Sequence, residues 1–307
     1  MYSDLIIGFD GSPSGRDALA LARRLAVASG AHPTVVTVYS SAARSADVVT
    51  YGEHGNSLAR ADALLEEARE TLTDIPGATF TAVSDTSAAR ALHRAAEDAD
   101  AALVVLGSTH RSALGRVLPG TTAEAILRAV PCAVAIAPTG FADHAGAHFG
   151  VVTAAVDGGD DTERVAWMAA QIARGSGSKL RLVTVLDRPF TAGPMYAGGV
   201  GYATLRDAVR EAATDTLERA AQAAGDDIET ERHVHEGAVV DELARRSAEC
   251  DLLVIGSRRF GPLRRIVLGS VTGGILHAAT CPVLVIPLHT SEERDAAVVP
   301  MAEAGIR

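Results

Sequence analysis

The sequence LIIGFDGSP at residues 5–13 has the pattern of a buried strand that passes directly into a helix. Its apolar run ends at Asp10-Gly11, and Ser12-Pro13 then supplies an N-cap residue and a proline that suits the first helical turn. The helix is expected to continue to about Ser29, where Gly30 ends it. A buried strand joined to a helix by a short turn is the unit from which α/β sheets are built.

The same pattern occurs a second time in the chain. Residues 151–158 read VVTAAVDG, so Asp157-Gly158 repeats Asp10-Gly11. Self-similarity that keeps its order and spacing over half a chain indicates a duplicated domain. The later repeated landmarks are Gly107-Ser108 with Gly256-Ser257, Gly120 with Gly269, Cys132 with Cys281, and Pro138 with Pro287.

Each half alternates short apolar runs with amphipathic helical stretches. The apolar runs are continuous in Val, Ile, Leu and Ala, which is typical of parallel strands covered on both faces. The sequence therefore predicts an α/β fold of two tandem doubly wound domains, each a five-stranded parallel sheet of order 3-2-1-4-5 flanked by helices. The predicted strands are 5–9, 34–39, 79–83, 102–106 and 132–137, then 151–156, 180–186, 228–235, 252–255 and 282–286.

The domain boundaries follow from where the repeated pattern stops. We expect a first domain at residues 1–138, a linker at 139–150, a second domain at 151–287 and a C-terminal tail at 288–307. The linker shows no periodicity, and the tail lies beyond the last repeated strand. Both last strands are apolar edge strands in this scheme, and an exposed apolar edge favours pairing with another strand.

Composition and charge narrow the classes of partner. The formal net charge is −10, with no cluster of basic and aromatic residues, so nucleic acid and anionic lipid surfaces are not expected partners. No apolar run approaches the ~18–20 residues of a membrane-spanning helix. The strand pattern begins too early for a signal peptide, and three cysteines do not make a disulfide framework. The sequence favours a reducing, cytoplasmic location.

A ligand is expected beyond the carboxyl ends of the strands, where the strand order of such a sheet reverses. The loops after strands one and four flank that point, and the following helix begins near a glycine and a hydroxyl residue. Glycine lets an anion approach the free amides of a helix N-terminus, which is the chemistry of a phosphate site. Neither a Walker A sequence nor G-x-G-x-x-G after strand one is present, so the P-loop and dinucleotide interpretations fail. The residues are Asp10-Gly11-Ser12, Gly107-Ser108-Thr109-His110 and Gly120-Thr121-Thr122, then Asp157-Gly158-Gly159, Gly256-Ser257-Arg258-Arg259 and Gly269-Ser270-Val271.

With these residues in place, each half resembles a universal stress protein domain, and the chain resembles a tandem member of that family. The resemblance implies an ATP site with the spacing glycine, two residues, glycine, nine residues, glycine, then Ser or Thr. Gly107 and Gly256 fill its first position, whereas His110 and Arg259 replace the middle glycine. Those two side chains either donate to phosphate or block its entry. The last two positions are Gly120-Thr121 and Gly269-Ser270.

The resemblance also implies roles outside the glycine motif. Asp10 and Asp157 match an aspartate that contacts the adenosine moiety, and Val38 and Val185 match a valine whose backbone reads the adenine edge. Gly237 matches a further family glycine, which the first half replaces with the region 85–87. Family members pair two domains antiparallel through the last strand, so we expect the two halves to pair internally and a second chain to complete a homodimer.

These observations predict a non-catalytic stress-response protein that binds an adenine nucleotide. ATP is the expected form, with ADP and AMP as alternatives and Mg²⁺ accompanying ATP. The second half is the favoured site, because it keeps Gly237 and because Arg259 carries a permanent charge. Two alternatives stay open: a scaffold of the same fold that binds no nucleotide, and a slow nucleotide hydrolase for which no base or metal ligand can be named.

Simpler interpretations compete with several of these residues. Glycines at strand-to-helix junctions often serve the turn alone, Asp10 could cap the first helix, and Thr121 with Glu124 forms a capping box. His233 and His235 share one face of a strand, but no further residue has the spacing of a third metal ligand. The cysteines are expected to be buried thiols.

Overall fold

The fold is taken from a computed structural model, in which the structure describes residues 4–40, 58–109, 115–144, 146, 148–159, 161–187, 200–257 and 269–287. The predicted phosphate-site residues His110, Arg258 and Arg259 and the predicted tail 288–307 lie outside the described residues.

The first half follows the predicted alternation of strands and helices. Ser12 is the N-cap of the first helix, and Gly30 ends it in the left-handed conformation with φ +69°. The strands are β1 (Asp4–Gly8), β2 (His32–Tyr39), β3 (Thr79–Ser84), β4 (Leu103–Gly107) and β5 (Ala133–Ala137). The helices are α1 (Pro13–Ser29), α2 (Leu58–Thr71), α3 (Ala88–Asp98) and α4 (Thr121–Ala129).

The second half repeats the first after a short helix, α5 (Phe141–His144). Its strands are β6 (Val151–Ala155), β7 (Lys179–Leu186), β8 (Thr230–Glu236), β9 (Leu252–Ser257) and β10 (Val283–Pro287). Its helices are α6 (Thr162–Ser176), α7 (Val200–Ala224), α8 (Val239–Ser247) and α9 (Ser270–Ala278). In the described part of the chain, no helix combines the length and apolar character needed to cross a bilayer.

The two halves form one ten-stranded sheet of order β3-β2-β1-β4-β5-β10-β9-β6-β7-β8. The predicted order 3-2-1-4-5 is confirmed in each half, and the neighbours within a half are parallel. The halves join through β5 and β10, which pair antiparallel with Leu284 opposite Ala135. The two last strands therefore pair internally, as expected, and they are fully buried at the centre of the sheet. Strands β3 and β8 are its edges.

The helices α1 and α6 hold the halves together on one face of the sheet. They approach so closely that a Cβ added at Gly175 would lie 1.5 Å from the carbonyl oxygen of Ala28. Apolar residues of both helices, including Leu25 and Ala169, belong to one buried cluster that spans the two halves. Glycine at position 175 therefore sets the distance between the domains.

The segment predicted as a linker is docked on α1. The buried carboxylate of Asp17 accepts hydrogen bonds from the amides of Gly140 (2.9 Å) and Ala142 (2.8 Å) at the start of α5. The guanidinium of Arg24 lies over the rings of Phe141 and Phe149, at 4.9 and 5.5 Å from their centroids. Burial lowers the pKa of Arg24, and the charge of Asp251 opposes that shift. Side-chain contacts that no local periodicity encodes thus order this connection.

Candidate functional site

The aspartate that follows β1 organises the turn into α1. The Oδ1 atom of Asp10 accepts hydrogen bonds from the Ser12 amide (3.0 Å) and hydroxyl (2.5 Å). The Ser12 hydroxyl in turn accepts from the amide of Gly15 at 3.1 Å. The interpretation that Asp10 itself caps α1 is therefore wrong, because Ser12 is the cap and Asp10 orients it. The side chain of Asp10 is exposed at the carboxyl edge of the sheet.

The equivalent aspartate of the second half leaves one oxygen open. Asp157 is exposed, and its Oδ1 atom accepts from the amide of Gly159 at 3.0 Å. Among the described residues, its Oδ2 atom has no hydrogen-bond partner. Gly158, between them, has φ +80°, and its carbonyl accepts from Arg219 at 3.1 Å. The carboxylate is thus held by its own turn and keeps an oxygen that can accept a bond from a ligand hydroxyl.

Gly107 and Ser108, at the end of β4, are packed against other parts of the first half. A Cβ at Gly107 would lie 1.9 Å from the carbonyl oxygen of Ser14, so this glycine lets α1 approach the end of β4. Ser108 is buried; its hydroxyl donates to the Ala137 carbonyl (2.7 Å) and accepts from the Leu118 amide (3.1 Å). These contacts support the structural interpretation of Gly107 and Ser108, whose phosphate roles stay predictions.

The corresponding loop of the second half begins at the end of β9. Ser257 is buried and pairs with Pro287 of β10. The carbonyl of Gly256 accepts from the hydroxyl of Thr272 at 3.3 Å, which ties α9 to β9. Sequence reasoning missed Thr272, because a threonine inside a helix carries no signal for this contact.

Each of the two helices that follow these loops has glycine as its N-cap residue and therefore lacks a side-chain cap. Gly120 precedes α4 with φ −83° and ψ 175°, and Gly269 precedes α9 with φ −62° and ψ 160°. The predicted capping box of Thr121 with Glu124 is wrong. Thr121 is already the first helical residue, and the amide of Glu124 donates to the Gly120 carbonyl at 2.9 Å. The other first-turn amides receive no side-chain cap and can bind an anion.

The two helix starts differ in the space around them. A Cβ at Gly120 would touch Thr109, whose Cβ atom lies 3.5 Å away. A Cβ at Gly269 would meet no atom of the described residues within 4 Å, and Arg258, the counterpart of Thr109, lies outside those residues. Ser270 and Val271 are exposed beside Gly269, whereas Thr122 in the first half is half-buried. The first turn of α9 is therefore the more exposed of the two helix starts at the position shared by Val271 and Thr122.

The two halves also differ between their second and third strands. Val38 lies in β2 and Val185 in β7, at equivalent places. The amide of Asp85 donates to the Tyr39 carbonyl at 3.0 Å, and the amide of Gly237 makes the same 3.0 Å bond to Leu186. The first half thus carries a carboxylate where the second has only a buried glycine.

Arg90 neutralises that carboxylate. Its Nε atom donates to Oδ2 of Asp85 at 3.0 Å, and its terminal nitrogen donates to Oδ1. This hydrogen bonding, with help from the Ser87 amide, lowers the pKa of Asp85 to about 2. A carboxyl whose pKa is lower in the folded chain contributes stability above its unfolded pKa of 3.8 and loses it as the pH falls toward 2.

Replacing Arg90 by glutamine is expected to raise the pKa of Asp85 toward 3.8, because the charged donor that stabilises the carboxylate is removed. Carboxyl chemical shifts followed by NMR between pH 1.5 and 6 measure this directly. The variant Arg94→Gln, on the same helix, is the control and should leave the titration unchanged. An unchanged Asp85 titration in the Arg90 variant would contradict the assigned ion pair.

The histidines of β8 face one another, as the strand spacing predicts. The rings of His233 and His235 stack with centroids 5.9 Å apart and planes 3° from parallel. His235 lies 3.4 Å from the guanidinium of Arg246, and burial followed by that positive charge lowers its pKa. Over the ranges the structure describes, no three His, Cys, Asp or Glu residues come together in a way that could hold a metal ion.

Comparisons with known proteins agree with this architecture. A model of the "Universal stress protein family" matches residues 1–138 and 148–287. The chain is similar to a universal stress protein of Mycobacterium tuberculosis, with 27% identity over 302 residues that cover 92% of this chain and 99% of the relative. A second universal stress protein of that organism is 30% identical over 194 residues, which cover 61% of this chain and 62% of the relative's length.

Two solved structures share the fold over nearly the whole chain. A functionally unknown protein from Pseudomonas aeruginosa PAO1 has a TM-score of 0.64 at 18% identity, and the alignment covers 93% of this chain and 92% of that one. A universal stress protein from Archaeoglobus fulgidus DSM 4304 has a TM-score of 0.59 at 19% identity, with 92% and 98% covered. At these identities the likeness concerns the fold alone.

Proposed function

The chain belongs to the universal stress protein family, and we propose that it is a non-catalytic protein that binds an adenine nucleotide at the switch point of its second half. ATP is the proposed form, and Mg²⁺ would arrive with its triphosphate; ADP and AMP are the alternatives. The observation that carries the proposal is the start of α9, where the N-cap is Gly269, the first-turn amides have no side-chain cap, and Ser270 and Val271 are exposed.

Different residues around the start of α9 would contact different parts of the nucleotide. The amides of Gly269, Ser270 and Val271 can donate hydrogen bonds to phosphate oxygens, and the exposed hydroxyl of Ser270 adds a further donor. Asp157 presents its open carboxylate oxygen to the ribose hydroxyls. Among the remaining predicted residues, Val185 would read the adenine edge, Gly237 would leave room beside it, and Gly256, Ser257 and Arg259 would border the phosphates.

The first half supports the alternative role of a scaffold. Its Gly107 and Ser108 are engaged in packing, and Asp85 stands where the second half has glycine. Its last strand β5 pairs with β10 of the other half. We propose that this half mainly supports the second one, and that the protein works in the cytoplasm as a homodimer.

The proposal is tested first on the protein as purified. Nucleotide released by denaturation is identified by chromatography, and titration calorimetry then measures ATP, ADP and AMP. We expect ATP in the released fraction or a measurable heat with ATP. The absence of both would favour the scaffold, and phosphate release well above that of the Gly269→Val variant would favour the hydrolase.

Two variants of the second half, each with its match in the first, locate the site. Gly269→Val adds a branched side chain beside the first-turn amides of α9, where a Cβ would meet no described residue within 4 Å, and Asp157→Asn removes the charge that accepts the ribose hydroxyls. Each is expected to weaken ATP binding at least tenfold, which corresponds to about 1.4 kcal/mol. The matched variants Gly120→Val and Asp10→Asn should change it less than twofold. Equal losses in both pairs would contradict a site confined to the second half.

A further inference from the structure

Two of the three cysteines meet at the amino ends of the strands, on the side of the sheet opposite the proposed nucleotide site. Cys250 precedes β9, Cys281 precedes β10, and their sulfur atoms are 3.7 Å apart. The strands that they precede are parallel neighbours, with Leu253 opposite Val283. Both thiols are therefore held at the amino ends of two adjacent strands.

We propose that Cys250 and Cys281 are a modification site at which a hydroperoxide produces a reversible intramolecular disulfide. Extending the register of β9 and β10 places Cys281 level with Asp251, one residue from Cys250. One strand spacing of about 4.8 Å and one residue step of about 3.3 Å together give a Cα separation of about 6 Å, within the roughly 4.4–6.8 Å that disulfides accept. The sulfur atoms must approach by about 1.7 Å to reach the bond length, which side-chain rotation can supply.

The two thiols have different chemical environments, and this difference determines which thiol reacts with the oxidant first. Cys281 is buried, and burial raises the pKa of its thiol well above the usual value. Cys250 is half-buried, and the hydrogen bond that Cys281 donates lowers the pKa of the Cys250 thiol. The thiolate is the reactive form of cysteine, so Cys250 is the residue that attacks the oxidant and Cys281 the residue that resolves the product.

The reaction balances with hydrogen peroxide as the two-electron oxidant. The Cys250 thiolate attacks one peroxide oxygen, the O–O bond breaks, and a sulfenic acid forms while the other oxygen leaves as water after taking up a proton. The sulfur of Cys281 then attacks the sulfenic sulfur, and the hydroxyl leaves as a second water with the Cys281 proton. Two thiols and one peroxide thus give one disulfide and two waters, and an external dithiol reverses the change.

The first half supplies an internal control. At the position equivalent to Cys250 it has Ala101, and at the position equivalent to Cys281 it has Cys132. One half therefore contains the pair of thiols and the other contains a single thiol. The disulfide would close a loop that contains β9 and α9, so it would restrain the helix whose start forms the proposed nucleotide site.

Thiol counting on the unsubstituted chain of 307 residues tests the proposal directly. The reduced protein is exposed to hydrogen peroxide at a few equivalents, denatured, alkylated and weighed. We expect the number of alkylated thiols to fall from three to one, with loss of two hydrogens from the intact mass and recovery of three thiols after dithiothreitol. Peptide mapping should find Cys250 joined to Cys281 in the monomer fraction.

Single cysteine-to-serine variants then identify the two residues that form the disulfide. Cys132→Ser should still lose two thiols on oxidation, whereas Cys250→Ser and Cys281→Ser should form no intramolecular bond. Oxidation should raise the melting temperature of the wild type and of Cys132→Ser, but not of the other two. Three thiols left after peroxide, a disulfide that includes Cys132 or links two chains, or sulfinic acid at Cys250 without a disulfide would each overturn the proposal.

Discussion

Replacing Gly175 by alanine is expected to lower the free energy of unfolding by about 3 kcal/mol. In an ordinary helix the same change stabilises, because alanine loses less backbone entropy than glycine. Here the new Cβ would lie 1.5 Å from the carbonyl oxygen of Ala28 and 2.6 Å from its carbonyl carbon. The clash is with backbone, so no side chain can rotate away, and α1 and α6 must separate.

Urea unfolding followed by circular dichroism measures the effect, and the melting temperature should fall by roughly 5 °C. The matched control is Gly273→Ala in α9, where the added Cβ would meet no atom of the described residues within 4 Å. That variant should gain about 0.5–1 kcal/mol, as a helical glycine normally does. If Gly175→Ala also stabilises the protein, the close contact between α1 and α6 is contradicted.

A second large effect is expected at the end of β4. Gly107→Ala should cost about 3 kcal/mol, because its Cβ would lie 1.9 Å from the Ser14 carbonyl oxygen and 2.6 Å from the carbonyl carbon. The first turn of α1 would have to move away from the sheet, and with it the turn in which Asp10 holds Ser12. The loss is measured as a lower denaturant midpoint with an unchanged slope.

The control for this variant is Gly120→Ala, in the same motif. Its Cβ would make only an ordinary 3.5 Å contact with Thr109, and its φ of −83° suits any residue, so its stability should change by less than about 0.5 kcal/mol. A near-neutral Gly107→Ala variant would show that this glycine is not needed for packing. The phosphate interpretation of Gly107 would then be the stronger one.

These glycines show why a motif alone does not assign a role. Gly107 and Gly120 are both glycines of the same sequence motif. A Cβ at Gly107 would clash with the backbone of Ser14, whereas a Cβ at Gly120 would make only an ordinary contact with Thr109. The halves also differ in exposure, since Val271 in α9 is exposed whereas Thr122, at the equivalent position in α4, is half-buried. Accessibility, rather than residue type, therefore directs the proposed nucleotide to α9.

The strands and helices could be predicted from local pattern because their causes are local. Continuous apolar runs indicate strands that are covered on both faces, and Ser12, Pro13 and Gly30 mark the ends of α1 through their own backbone preferences. The repeat then predicted two sheets of the same order, since both halves carry the same alternation. The aspartates and glycines of the candidate site could be listed for the same reason.

Contacts between distant residues required the folded chain. The meeting of Cys250 with Cys281 and the docking of Gly140, Ala142 and Phe149 on α1 depend on geometry that no short window contains. The failed capping box has a different origin, because Gly120 rather than Thr121 is the N-cap residue and Thr121 is already inside the helix. Sequence periodicity specifies which residues are buried, whereas packing decides which buried and exposed groups meet.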